Sequence, residues 1–225
     1  EGMPCSTSIE MRDRALLAFV ILTGARDGAV ASAKIKHIDL ADHSFYQDAR
    51  DVNTKFSKTF TTYFFPVGEL PHKILADWID YLVTELGYKQ NSPLFPKTKL
   101  AHDANQQFEA VGLLEEHWSN ANPIRKIFAQ AFALAGLPYF NPHSFRNTLV
   151  RLGEKLCQTP EEFKAWSQNL GHESVLTSFY SYGDVPDYKQ AELLRKLSMP
   201  AQNTSHDMEE QFKQFMQFQQ MKGNI

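Results

Sequence analysis

The sequence predicts a mainly α protein with one small antiparallel β-sheet. Two observations predict it. Apolar residues recur at helical spacing over most of the 225 residues, and several of these runs start or stop at recognisable caps. The β-rich composition is confined to two neighbouring stretches, HIDLADHSFYQDA at 37–49 and VNTKFSKTFTTYFFPV at 52–67.

The elements follow in order. Residues 1–7 read as a linker remnant. A helix follows: Thr7 and Glu10 have capping-box spacing, Leu16, Phe19, Val20 and Thr23 share a face, and Gly24 stops it. DGAVASAKI at 27–35 is a second, short helix. The two β-rich stretches form the sheet, with a turn near Ser57–Lys58 and an end at Pro66. ELPHKILADWIDYLVTELG at 69–87 returns to helix, and residues 90–121 read as a long irregular connection. The rest is helical: 122–137, stopping at Gly136; 144–157, after Pro142; and 159–171, with Thr159 as N-cap, Pro160 first and Glu162 third. Segments 173–182 and 187–198 complete the body. A tail, 201–225, carries an amphipathic stripe of Met208, Phe212 and Phe215.

With 43% hydrophobic residues, the chain can bury one sizeable core. No run approaches the roughly 20 apolar residues that span a bilayer, and nothing at the N-terminus reads as a signal peptide. Two cysteines, Cys5 and Cys157, make no disulfide framework, so reduced thiols in a cytoplasmic protein are expected. No histidine spacing pairs with them as metal ligands; His37 and His43 are expected to be structural or exposed. The net charge of −3 argues against a protein that simply coats nucleic acid. Charge is uneven, however. Between Ala121 and Pro160, Arg125, Lys126, Arg146, Arg151 and Lys155 face one anion, Glu154, giving 5 − 1 = +4.

That basic window contains HSFRNTLVRLGEK, in which His143, Arg146 and Arg151 sit beside Leu149 and Leu152. Alone it describes a charged helix face. Four other places carry residues suited to phosphate chemistry. Arg26 follows the helix-ending glycine in TGAR, and Lys58 sits in SKT at the expected turn, with Lys55 nearby. His172 ends LGH, and Tyr180 and Tyr182 come eight and ten residues later.

In this order the motifs TGAR (23–26), SKT (57–59), HSFR (143–146) and LGH (170–172) resemble the catalytic domain of the tyrosine recombinases, the phage-integrase family. The resemblance runs from about residue 8 to about 198, giving a catalytic domain at 8–200. It implies an α-rich catalytic core that cleaves and rejoins double-stranded DNA without metal, ATP or other cofactor. It implies an N-terminal core-binding domain, expected to be absent from this chain. It also implies a monomer that forms a tetramer on two DNA sites, with the 208–215 stripe docking on a neighbouring protomer. A bacterial or phage-encoded protein acting at the nucleoid, not at a membrane, is expected.

The roles implied by the resemblance fit elementary chemistry. Attack on a phosphodiester builds charge on two non-bridging oxygens, which Arg26 and Arg146 would clamp. A phenol with pKa ~10 must lose its proton during attack, and His143 is the expected general base. His172 would donate to a non-bridging oxygen, and Lys58 would protonate the leaving 5′-oxygen. The tyrosine departs from the family pattern: the usual position, nine after the LGH histidine, is Ser181. Tyr182, followed by Gly183, is the expected nucleophile, Tyr180 the second choice and Tyr188 a distant third. Lys58 is preferred over Lys55 because Pro66 follows it by 66 − 58 = 8 residues, a spacing that family members often show. Ala29 stands where many members carry an acidic residue, which leaves Arg26 without an evident orienting partner. Two other readings stay open: a type IB topoisomerase-like enzyme that relaxes DNA, and a non-catalytic DNA-binding regulator on the same fold.

Overall fold

A computed structural model of the chain describes residues 2–102 and 106–172, together with position 190. Apart from position 190 these belong to one unit, residues 1–181. Tyr180, Tyr182 and Tyr188, the expected helices at 173–182 and 187–198, and the stripe at 208–215 lie outside the described residues.

Helix α1 (Ser8–Thr23) is fixed at both ends. Thr7 Oγ1 accepts from the Glu10 N–H at 3.2 Å, and the Glu10 carboxylate accepts from the Thr7 N–H at 2.9 Å. At the other end Gly24 takes φ 58° and donates to the Val20 carbonyl. A Cβ at Gly24 would lie 2.9 Å from both the Leu149 and the Leu170 side chains, so glycine supplies both the turn and the close approach. Helix α2 (Asp27–Ser32) is shorter than the sequence suggests: Ala33 is extended, and Ile35–His37 form a single 3₁₀ turn. Residues here gain partners from 90–94: Leu94 N–H donates to Ala33 and Ile35 N–H to Ser92.

Strands β1 (Ile38–Asp39), β2 (Ser44–Gln47) and β3 (Phe60–Tyr63) form one antiparallel sheet in that order. Phe45 pairs with Ile38 on one side and Thr62 on the other. It is fully buried and meets Phe19 of α1 edge-on at 5.0 Å. The second β-rich stretch is only partly strand. Its first half belongs to the β2–β3 connection, because Val52 turns into the core and the Asp51 and Val52 N–H groups both donate to Asp48. Ser57 and Lys58 therefore sit late in a long loop, not at a tight hairpin turn. The loop includes a 3₁₀ turn, Lys55–Ser57, with positive φ at Phe56 and Ser57.

Helix α3 (Glu69–Thr84) buries Leu75, Trp78 and Leu82 against α1, and Trp78 Nε1 donates to the Leu94 carbonyl. Residues 90–121, expected to be irregular, contain a second hairpin: β4 (Lys97–His102) paired with β5 (Phe108–Leu114). The pattern was silent because neither face is well buried; Leu100, Phe108 and Val111 are exposed. Arg12, 3% exposed, ties α1 to this region. Its guanidinium donates to Pro96 O and Thr98 Oγ1 and lies 5.3 Å from the Trp118 ring centre.

Three helices complete the described part: α4 (Asn122–Leu134), α5 (His143–Leu156) and α6 (Pro160–Asn169). The Thr159–Glu162 capping box opens α6. Gly153 lets α5 and α6 meet, since a Cβ there would lie 2.6–2.8 Å from the Trp166 indole. Cys5 and Cys157 are free thiols. Among the described residues no helix is long and apolar enough to cross a membrane.

Candidate active site

The site assembles where three chain reversals meet. His143 and Arg146 are one turn apart at the start of α5, so both emerge on one side of it. Arg26 is the N-cap residue of α2, two residues past the left-handed Gly24. His172 follows α6 directly, and its N–H returns to the Ser167 carbonyl.

Arg146 is the hub. It is 4% exposed and spends its fork on two helix ends: Nη1 donates to the Gly24 carbonyl after α1, and Nη2 donates to the Leu170 carbonyl after α6 at 2.6 Å. Both oxygens belong to terminal residues that helix geometry leaves unpaired. Nη2 also lies 3.1 Å from His172 Nε2. A guanidinium only donates, so Nε2 is the acceptor and the neutral imidazole carries its proton on Nδ1.

The site is strongly cationic. Burial, followed by the Arg26 charge, pushes Arg146 down to about 9. Burial and then the charges of Arg146, Arg26, His143 and Lys55 push His172 down to about 4. His143 is lowered by partial burial, then by Arg146 and Arg26, with Asp27 acting the other way. Burial also lowers Arg26. Arg26, His143, Arg146 and His172 thus share one field, although they come from three places in the chain. Cationic groups concentrated in one place suit a bound anion. Lys55 belongs to the same field through His172. Lys58 is exposed in the same loop, three residues on. The nucleophile candidates lie outside the described residues.

Ala29 is 1% exposed and packs in the core cluster, so a carboxylate there would be buried in apolar surroundings. The acidic residue near the site is Asp27 instead. It lies 3.4 Å from Arg125 Nε and acts on His143. Sequence spacing gave no sign of this pair. It also missed Asn169, whose side chain accepts from the Tyr63 N–H at 2.7 Å and donates to the Tyr63 carbonyl at 2.8 Å. That exchange pins the end of α6, and His172 with it, to the edge of β3. His37 is buried and His43 is exposed. Among the described residues no three His, Cys, Asp or Glu side chains are grouped to hold a metal ion.

A profile described as the phage integrase family matches residues 3–185. The chain belongs to the phage integrase family. Its fold is that of tyrosine recombinase catalytic domains. XerA recombinase is 20% identical, with 85% of this chain and 58% of that one covered and a TM-score of 0.53. XerH site-specific recombinase, solved bound to a palindromic difH substrate as a post-cleavage complex, is 19% identical, with 85% and 47% covered and a TM-score of 0.56. This integrase-family chain spans about half the length of these two proteins. No curated protein matches it in sequence.

Proposed function

We propose that this chain is the catalytic part of a site-specific DNA recombinase or integrase that breaks and rejoins strands through a 3′-phosphotyrosine. The observation that carries the reading is the Arg146 hub: a buried guanidinium touching His172, within one cationic field with Arg26 and His143. A scissile phosphate bound there is drawn in by these cations. Arg26 and Arg146 hold its non-bridging oxygens, and their grip tightens as charge grows in the pentacoordinate transition state. His172 offers its Nδ1 proton to one of those oxygens. His143, held neutral near pH 7, takes the phenol proton of Tyr182, or of Tyr180. Lys58, or Lys55, protonates the departing 5′-oxygen. The phosphotyrosine keeps the phosphodiester's bond energy, so religation needs neither ATP nor metal. A tetramer on two duplex sites, with the 208–215 stripe docked on the next protomer, completes the reading.

The test uses a pool of randomised duplexes, each nicked so that cleavage releases a short fragment and traps the adduct. Incubation in EDTA without ATP, recovery of protein-linked DNA and mass spectrometry of the linked peptide should give a phosphotyrosine at Tyr182 or Tyr180. The adduct should disappear in Arg146→Ala. No adduct, or one at another residue, overturns the reading. Relaxation of a supercoiled plasmid without strand exchange between two recovered sites would favour the topoisomerase-like alternative.

A further inference from the structure

We propose that Asp51 is a positioning residue for the leaving-group lysine: its carboxylate moors the loop carrying Lys55 and Lys58 to the turn that follows α2. The inference rests on the recombinase reading above.

The β2–β3 connection has a fastened half and an exposed half. In the fastened half, Asp51 Oδ1 takes the Lys34 ammonium at 2.6 Å and Oδ2 takes the Lys36 ammonium at 2.6 Å. The His37 Nε2 lies 3.6 Å from Oδ2. His37 is buried, and its Nδ1 accepts from the Lys34 N–H, so the neutral ring carries its proton on Nε2, on the Asp51 side. Val52 is in the core. The Asn53 N–H donates to Ser32 Oγ at 2.8 Å, and that hydroxyl donates to Gly28 in α2. A Cβ at Gly28 would lie 3.2 Å from the Asn53 carbonyl, so loop and helix are in close contact. The exposed half begins two residues later. Residues 55–58 are all exposed, with positive φ at Phe56 and Ser57.

An isolated surface ion pair contributes little. Here one carboxylate bridges two ammoniums beside a buried imidazole, and without it Lys34 and Lys36 repel each other at the loop's root. These ties run to α2 and the turn after it, and Arg26 caps α2. Asp51 therefore sets the placement of the lysines relative to the anion clamp. A displacement of about 1 Å at a reacting group can cost on the order of 10²-fold in rate.

Attack forms the bond from phosphorus to the phenol oxygen and breaks that to O5′. The phenol proton passes to His143 and a lysine proton to O5′. When sulfur replaces the bridging O5′, a thiolate leaves without a proton, and the lysine becomes dispensable. The experiment compares the duplex recovered by adduct trapping with its 5′-bridging phosphorothiolate analogue, using the whole chain in single turnover. Asp51→Asn should slow cleavage of the oxygen duplex about tenfold or more, yet cleave the sulfur duplex within about twofold of wild type. Asp51→Glu should recover most of the oxygen rate. Lys34→Gln with Lys36→Gln, which removes the partners instead, should show the same selectivity for sulfur and keeps the test decisive if Asp51→Asn does not fold. Equal slowing on both duplexes in both variants, or no slowing on either, overturns the inference. A wild-type chain that yields no tyrosine adduct from the pool, and so no duplex to compare, overturns the recombinase reading itself. If wild type cleaves both but Lys55→Ala combined with Lys58→Ala stays slow on sulfur, the lysine role falls, and the part assigned to Asp51 falls with it.

Discussion

Arg146 ties two helix ends together, and in the proposed reaction the same guanidinium would also hold the phosphate; lysine separates the two roles. Arg146→Lys keeps the charge but loses the fork that reaches Gly24 and Leu170 together. At least one buried carbonyl is left without a partner, which costs about 1–3 kcal/mol. Urea denaturation should show that loss, and strand cleavage should fall further than the stability change accounts for. His172 makes a second residue-scale prediction, in pH. Its folded value is about 4 against an ordinary 6.5, so it stays neutral in the folded state while the unfolded chain binds a proton. Stability from this group is fully present above about pH 6.5 and is lost as pH falls towards 4. His143, His37, His72 and His117 are lowered too and add to the same window. Denaturation midpoints between pH 7 and 4 should therefore fall in wild type and fall less steeply in His172→Gln.

At the scale of elements, the site depends on how α6 ends. Asn169 imitates a strand edge by exchanging two hydrogen bonds with Tyr63, while Thr62 Oγ1 donates to the Asn169 carbonyl. Asn169→Ala removes the side-chain pair and should cost about 1–2 kcal/mol. Because His172 lies three residues on, the variant should also show faster amide exchange at 170–172 than in α3. The sequence made much of this architecture legible. The capping boxes at Thr7 and Thr159, the glycine stop at Gly24 and the His143–Arg146 turn rest on local rules that operate wherever those residues occur. The β4–β5 hairpin was hidden because its side chains alternate between two poorly buried faces and so write no period into the sequence. The contact of Arg146 with His172 spans 172 − 146 = 26 residues and is made by α1, β3, α5 and α6 together. Residue order could suggest it only through the family resemblance. Asp27 and Asp51 were missed because their partners, Arg125, Lys34 and Lys36, are chosen by packing, not by spacing.

For the whole molecule, the question is how a chain of net charge −3 would hold the duplex that the proposed function requires. The overall field opposes approach, while Arg26, Arg146 and Lys55 concentrate cations around His172. At about 0.1 M salt the Debye length is roughly 10 Å, so distant acidic groups are screened while direct phosphate contacts remain. Affinity for a random duplex should then be weak, yet fall steeply with salt, because each neutralised phosphate releases counterions. Fluorescence anisotropy with a labelled 30-base-pair duplex, from 50 to 200 mM salt, gives the slope of log affinity against log salt. Arg26→Ala should weaken binding at every salt concentration and make that slope shallower by about one, the signature of one lost phosphate contact. Lys73→Ala on α3, whose ammonium pairs with Asp77 one turn away, should leave the slope unchanged. If the two variants give the same slope as wild type, Arg26 does not touch the phosphate chain, and the anion clamp must be built from Arg146 and other donors.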